Sequence, residues 1–386
     1  MDDPLIEMDL VDVGPVAHGG HCVARLDGRV VFVRHALPGE RVRITVTDTT
    51  HDSFWRADAV EVVEPSPDRV ASRCPSAGPG RCGGCDFQHV SLDGQRRLKQ
   101  AVLAEQLHRL ADIDWAGEME PVTTAGTEDG LHWRTRMRYQ VDAEGRAGLR
   151  RHRSHEIEAV PAGGCPIAHL GAPTVTEQTW APDTELLAVA ADPPTLLVDG
   201  RTEEGSSEIT EHAIGRDWRL AADGFWQGHP GAAATLVEAV IDGLRPRAGE
   251  RAFDLYCGVG LFAGALVDAG VRAWGVEWSR PAIVHARRNV PGAKFTAGKV
   301  ERVLRTLPKR TDLVVLDPPR TGAGKDVIDA VVARRPRAIA YVACDPAALA
   351  RDLRRAALGG YRPTSIRGFD LFPMTHHLEA VAILHR

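Results

Sequence analysis

From about residue 216 to the end of the chain, short apolar runs alternate with stretches of helical length. The runs are Ala252–Tyr256, Val271–Val276, Lys294–Thr296, Asp312–Leu316 and Arg337–Ala343, and a last one spans Leu378–Leu384. Strand-length runs separated by helix-length segments predict parallel strands joined by crossover helices, that is, a doubly wound α/β sheet. In an open sheet of this kind ligands bind outside the carboxyl ends of the strands. The residues that end each run are therefore the first place to look for chemistry.

Those residues are polar and varied. The first run ends in Asp254-Leu255-Tyr256-Cys257-Gly258-Val259-Gly260, the second at Glu277, the fourth at Asp317-Pro318-Pro319-Arg320 and the fifth at Cys344-Asp345-Pro346. Short connections around the last run predict that it lies antiparallel, which starts it at the same edge and sets Glu379 near Cys344. Glycines where a strand turns into a helix let a ligand approach the backbone. Gly264 is one position late for the dinucleotide fingerprint, and Glu277 lies where a carboxylate receives ribose hydroxyls. Together these features favour an adenosyl ligand without a pyrophosphate, for which S-adenosylmethionine is the natural candidate. A thiol at a strand end reads as a buried structural cysteine or as a nucleophile, and the carboxylates around Cys344 favour the nucleophile.

Residues 1 to 66 carry five short alternating segments broken by Gly and Pro: Leu10–Val13, Cys22–Leu26, Val30–Arg34, Arg41–Val46 and Ala57–Val63. They predict a small closed barrel of the OB type. Next comes Cys74, then Cys82-Gly83-Gly84-Cys85-Asp86-Phe87-Gln88-His89, and later Gly163-Gly164-Cys165-Pro166. Seven cysteines with one tight cluster fit metal ligation in a reducing compartment better than a disulfide framework. Four thiolates from Cys74, Cys82, Cys85 and Cys165 suit zinc or a [4Fe-4S] cluster, and spacing does not separate the two.

Residues 91 to 113 predict one amphipathic helix, with Leu98, Val102, Leu103, Leu107 and Leu110 on a face. A basic stretch follows, with Arg134, Arg136, Arg138, Arg146, Arg150, Arg151 and Arg153 set against Asp142 and Glu144. Alternation across Trp133–Val141 predicts strands that project these guanidinium groups as a row from one sheet face, a shape suited to a phosphate backbone. Residues 181 to 211 are acidic and poorly periodic and predict a loop or linker. Formal net charge is -5 and 44% of residues are hydrophobic, which excludes a uniformly basic nucleic-acid binder and leaves room for a local basic surface on a well-packed body. No run is long enough to span a bilayer and residues 1 to 4 carry no apolar leader, so a cytoplasmic, monomeric protein with no membrane partner is the expectation.

Taken together, these motifs resemble the RNA uracil-5 methyltransferases that carry an iron-sulfur cluster and an N-terminal TRAM domain. The matching segments are Gly14 to Gly20 with Leu37-Pro38-Gly39-Glu40, the Cys82–His89 motif, Gly148 to His155, Gly224-Phe225-Trp226-Gln227, Asp254 to Gly260, Asp317 to Arg320, Cys344-Asp345-Pro346 with Arg351-Asp352, and Asp370 to Glu379. The resemblance implies a TRAM-like RNA-binding barrel over residues 1–66, a small β-rich iron-sulfur and arginine-rich domain over 67–215, and a Rossmann-like methyltransferase domain over 216–386. It implies that Gln227, Tyr256, Glu277 and Asp317 line the S-adenosylmethionine site. It further implies a [4Fe-4S] cluster on Cys74, Cys82, Cys85 and Cys165, with Cys344 as nucleophile and Glu379 as base. His376 and His377 are rival bases. The implied substrate is a uridine in structured RNA, 23S ribosomal RNA ahead of transfer RNA; cytosine-5 methylation is the competing chemistry. Three departures stand out: a longer spacing between Cys74 and Cys82, Asp345 in place of the usual asparagine, and Lys299 where an acidic contact to adenine is common.

Overall fold

The computed structural model describes residues 9–386. Five strands, β1 (Asp9–Asp12), β2 (Cys22–Leu26), β3 (Arg29–Arg34), β4 (Arg41–Asp48) and β5 (Phe54–Glu64), form one sheet in the order β1-β4-β5-β3-β2. Alternate residues Val31, Val33, Val42, Ile44, Ala57 and Ala59 point into its core, as the period of two in the sequence requires. Helix α1 (Leu92–Ala111) follows, begun by Ser91, whose hydroxyl accepts the Gly94 amide. Then β6 (Met119–Pro121) leaves the chain's order and adds to the far edge of the C-terminal sheet.

A second sheet holds β7 (Arg136–Val141), β8 (Ala147–Arg150), β9 (Ile157–Ala159), β10 (Glu185–Val189), β11 (Thr195–Val198) and β12 (Arg201–Glu204), all antiparallel, in the order β12-β11-β10-β7-β8-β9. Strands β13 (Glu208–Ala213) and β14 (Arg216–Ala221) pair as a hairpin. The linker expected over 181 to 211 is therefore corrected: this stretch is mostly strand. Its apolar content sits in two short buried runs, Leu186–Val189 and Thr195–Leu197, and charged edge residues in β12 mask the periodicity.

The remaining elements are α2 (Ala232–Leu244), β15 (Arg251–Leu255), α3 (Leu261–Asp268), β16 (Arg272–Glu277), α4 (Arg280–Asn289), β17 (Lys294–Ala297), α5 (Val300–Val303), β18 (Leu313–Leu316), α6 (Lys325–Val332), β19 (Ala338–Ala343), α7 (Pro346–Leu358), β20 (Arg362–Asp370) and β21 (Glu379–His385). They build an eight-stranded sheet, β17-β16-β15-β18-β19-β21-β20-β6. Five strands are parallel, and β21 enters antiparallel beside β19, the orientation expected from its short connection. The β18 and β19 runs are buried along their whole length, as strands covered on both faces must be.

Helix α1 has two buried apolar faces where one was expected. Leu98 and Val102 pack into the barrel core, while Leu103 and Leu107 enter the core of the C-terminal sheet. A fully buried leucine contributes about 1.5–3 kcal/mol, so each core holds the helix firmly. Polar residues expected to face solvent are buried as well. The Gln95 side chain accepts the Met374 amide at 2.7 Å and donates to the Val90 carbonyl at 2.9 Å. Lys99, 1% exposed, places Nζ 2.5 Å from Asp370 Oδ1 and donates to the Phe372 carbonyl at 2.9 Å. Burial lowers the Lys99 ammonium's affinity for its proton, and Asp370 works against that.

Breaking a buried ion pair by removing one partner leaves an uncompensated charge. The Lys99→Met variant is thus predicted to lose about 3–5 kcal/mol in denaturant unfolding. Adding Asp370→Leu to it should restore much of the loss; a Lys99→Met protein as stable as the parent would contradict this role for the pair.

Candidate active site

The β15 strand delivers its chain into a tight turn. Tyr256 lies at φ +67°, in the left-handed region, and Gly258 and Gly260 at φ +50° and +98°. The Tyr256 and Cys257 amides both donate to the Val276 carbonyl, which pins the turn against the neighbouring strand. Glu277, ending β16, accepts the Gly258 amide at 3.2 Å through one oxygen and the Ser279 amide at 2.7 Å through the other. Glu277 and the glycine turn are thus one unit. Asp254 accepts the Ala263 amide at the start of α3, at 2.8 Å, and its other oxygen is buried without a partner. Asp317, directly after β18, stands across from them. Burial, with Glu277 added at both and Asp317 at the first, pushes the Asp254 and Asp317 carboxyls each up to about 7. Gln227 is placed separately, buried on the loop between β14 and α2.

Beyond Glu277 opens a cavity of about 400 Å³ lined by Trp278, Arg280, Ala297, Gly298, Lys299, Arg302 and Val303. It carries three cations and no carboxylate, so the side chain at position 299 lends a positive charge where an acid was expected. Trp278 is 71% exposed there, an indole face available for stacking.

Cys344 stands between β19 and the start of α7. Register between β19 and β21 pairs Ala343 with Ala380, so Glu379 begins its strand beside the cysteine. Glu379 is 6% exposed, and burial, reinforced by Asp317, holds its carboxyl well above the usual carboxylate range. Burial, then Glu379 and Asp317, push the Cys344 thiol up to about 12, while Arg320 opposes them. The two histidines are otherwise engaged. His376 Nδ1 lies 2.6 Å from Asp86 Oδ2, and burial lowers His377 to about 3 while Arg320 Nη2 sits 3.2 Å from its Nε2. Asp345 is paired as well: one oxygen accepts the Ala348 amide at 2.7 Å and the other lies 3.1 Å from His18 Nε2 of the barrel. Burial alone would raise Asp345, but the His18 contact and the Ala348 amide hold it below its ordinary value.

Several participants escaped the sequence reading. Asp86 accepts from Arg34 and from the His376 backbone; burial alone would raise its carboxyl, but His376 and Arg34 hold it far below the usual range. Asp352 accepts the Tyr341 hydroxyl at 2.6 Å and the Ala323 amide at 2.7 Å, fixing the loop that follows Asp317. Asp86, Arg320 and Asp352 lie inside recognised motifs and could have been weighed as partners. His18 carries no local signal, because its role depends on a contact with the opposite end of the chain.

Cys74, Cys82, Cys85 and Cys165 line one small cavity with Ala77, Gln88, Leu149, Pro166 and Ile167. Backbone bonds set them there: the Cys82 amide donates to Ser76, the Asp86 and Phe87 amides to Met374, and the His132 and Arg134 amides hold Pro166 and Ile167. Burial raises Cys82, Cys85 and Cys165, the last to about 11. Among the described residues no three His, Cys, Asp or Glu donors group tightly enough for a single metal ion.

The arginine row is corrected in part. Arg136 and Arg138 share a face of β7, but Arg136 pairs with Glu211 and Arg138 with Glu185. Arg146 pairs with Asp142 and Glu144, and Arg151 with Glu156 and Glu158. Carboxylates, two of them from distant strands, thus pair four arginines of the run. Arg153 of the row and Arg56 of the barrel meet around Asp48, beside Phe54, which stacks on His51 at 4.4 Å and meets Phe32 edge-on at 5.2 Å.

Similarity to known proteins agrees with this geometry. Residues 10–60 match the TRAM domain model and residues 308–386 the tRNA (uracil-5-)-methyltransferase model. An RNA methyltransferase of Streptomyces avermitilis is 48% identical, with 97% of each chain covered, and one of Bifidobacterium longum is 37% identical, covering 96% of this chain and 95% of its own. The crystal structure of Pyrococcus abyssi tRNA (uracil-54, C5)-methyltransferase with S-adenosyl-L-homocysteine superposes with a TM-score of 0.73 at 23% identity, over 97% of this chain and 99% of that one. No helix among the described residues is long and apolar enough to cross a membrane. The chain belongs to the family of these RNA methyltransferases and is an enzyme of that class.

Proposed function

We propose that this enzyme methylates carbon 5 of one uridine in a structured RNA, 23S ribosomal RNA ahead of transfer RNA, using Cys344 as nucleophile and Glu379 as base. The observation that carries the reading is the meeting of a thiol, a buried carboxyl and Asp317 at the edge where β18, β19 and β21 end or begin. The separate barrel and the thiol-lined cavity favour the ribosomal target. Likeness to the Pyrococcus abyssi transfer RNA enzyme keeps the second target open.

Carbon 5 of uracil is too weak a nucleophile to take a methyl group unaided. Cys344 loses its proton and adds Sγ to carbon 6, which moves the ring electrons toward carbon 5 and makes an enolate. Carbon 5 then takes the methyl, Glu379 removes the proton left on that carbon, and the returning electron pair expels the Cys344 thiolate. A uridine reaches both groups only by leaving its stack. S-adenosylmethionine, when bound, supplies an electrophilic methyl on a sulfonium cation. Glu277 with the Gly258 turn, Tyr256, Gln227 and Asp317 would hold it. Asp317, Glu379 and Cys344 all keep their protons too tightly in the ligand-free protein, and a cation beside them favours their ionised forms.

Cys74, Cys82, Cys85 and Cys165 would hold a [4Fe-4S] cluster. The four thiols line one cavity, and an all-cysteine donor set is one that such a cluster takes. Methyl transfer needs no electron, so the cluster's contribution is to fix the loops at 74–89 and 165–168, the first of which also grips Met374. Residues 1–66, of which 1–8 lie outside the described residues, 67–215 and 216–386 act as barrel, cluster domain and catalytic domain, except that β6 and the β13–β14 hairpin across the last boundary pack with the catalytic domain.

The direct test supplies anaerobically purified enzyme and S-adenosylmethionine with 23S ribosomal RNA or transfer RNA tritiated at uridine carbon 5. Tritium release to water is expected from the ribosomal RNA and absent with Cys344→Ala. Release from neither RNA would overturn the reading, and zinc in place of iron and sulfide in the same preparation would overturn the cluster.

The buried acids also predict a pH signature. With folded values of about 7 against an ordinary 3.8, Asp254 and Asp317 stay protonated after the unfolded chain has ionised. Their contribution is intact below pH of about 4 and is lost as pH rises toward about 7. Ligand-free Asp317→Asn should match the parent near the acid end and exceed it by roughly 1–3 kcal/mol above neutrality in denaturant unfolding. A difference that does not grow with pH would contradict this.

A further inference from the structure

The barrel turn from Gly14 to Gly20 closes onto the catalytic loops. Gly20 lies at φ +79°, and a Cβ there would stand 2.7 Å from His376 Cβ, so any side chain would lift the turn away. From this seat His18 reaches Asp345, the residue that follows the nucleophile. Asp345 is therefore held at both oxygens, by the first turn of its own helix through the Ala348 amide and by the barrel through His18.

The need for this arrangement lies in the charges around Cys344. Glu379 from β21 and Asp317 from β18 already raise the thiol, and Arg320 is the cation that answers them. His376 is taken by Asp86, His377 faces Arg320, and Arg351 on α7 faces Asp345. A third carboxylate free to swing toward the sulfur would disfavour the thiolate still further. We propose that His18 is a positioning residue for the methyl transfer: it keeps the Asp345 carboxylate turned to the barrel and away from Cys344 Sγ. On this account the barrel completes the catalytic centre besides carrying RNA. The inference rests on the reading of Cys344 as nucleophile.

The test measures the thiol itself. Full-length holoenzyme, without RNA or donor, is treated with iodoacetamide across a pH series, and carboxamidomethylation of the Cys344 peptide is followed by mass spectrometry. Losing the tether by His18→Ala should slow this reaction about tenfold at each pH below the thiol's own, the equivalent of one unit in its acidity. His18→Gln, which keeps an N–H donor at similar reach, should stay near the parent. Asp345→Asn removes the charge without touching the barrel, so that variant should react at least as fast as the parent, and His18→Ala combined with Asp345→Asn should recover the parent rate. An unchanged profile in His18→Ala, or a double variant as slow as His18→Ala alone, would overturn the proposal. Failure of the nucleophile reading looks different: Cys344→Ala would still transfer methyl groups, whatever the alkylation rates.

Discussion

The organising constraint in this molecule is a set of acidic groups buried at one edge of a sheet, where burial resists their ionisation. Asp254 and Asp317 at the carboxyl ends of their strands and Glu379 at the start of antiparallel β21 share one sheet edge with the Cys344 thiol, and burial makes every one of them hold its proton more tightly than in water. A fold does not gather acids in this way for stability, since each ionisation in the closed site costs free energy. It does suit a cationic cosubstrate, whose charge favours the ionised forms of the same groups. The site is poised by electrostatics before any substrate arrives.

Everything outside the sheet serves to hold that edge. Helix α1 shares its leucines between the barrel core and the catalytic core and ties both to the loop after β20 through Gln95 and Lys99. Asp86, within the cysteine motif, gathers Arg34 from the barrel and His376 from that same loop. The Met374 carbonyl accepts two amides from the cysteine motif. Three parts of the chain are thus locked at one junction. The thiol-lined cavity lies beside it, so a ligand there would stiffen the junction and not the chemistry directly.

Much of this was legible in the sequence, for reasons that differ by element. Strands buried on both faces, such as Leu313–Leu316 and Ala338–Ala343, write uninterrupted apolar runs, so the sheet, its antiparallel last strand and the line of Glu277, Asp317, Cys344 and Glu379 could be read off. The strands between 185 and 213 could not, because their exposed edges are charged and their apolar runs are too short to show a period. Helix α1 was placed within a residue or two, but its two-sided burial was hidden by Lys99 and Gln95, polar residues whose partners lie near residue 370. The arginine run misled for the same reason: the carboxylates that neutralise it, Glu185 and Glu211 among them, come from strands that only the fold brings alongside. Asp345 is a further case, since its contact with His18 joins residues from opposite ends of the chain.

The central claim is that Cys344 forms and then releases a bond to carbon 6 of a uridine. The most direct measurement incubates the enzyme and S-adenosylmethionine with target RNA carrying 5-fluorouridine, which lacks the proton that Glu379 must remove, and then maps the denaturation-resistant protein–RNA adduct by mass spectrometry. The account predicts a methylated fluorouridine joined to the peptide containing Cys344. An adduct on another cysteine, or methylation with no covalent adduct at all, would contradict it.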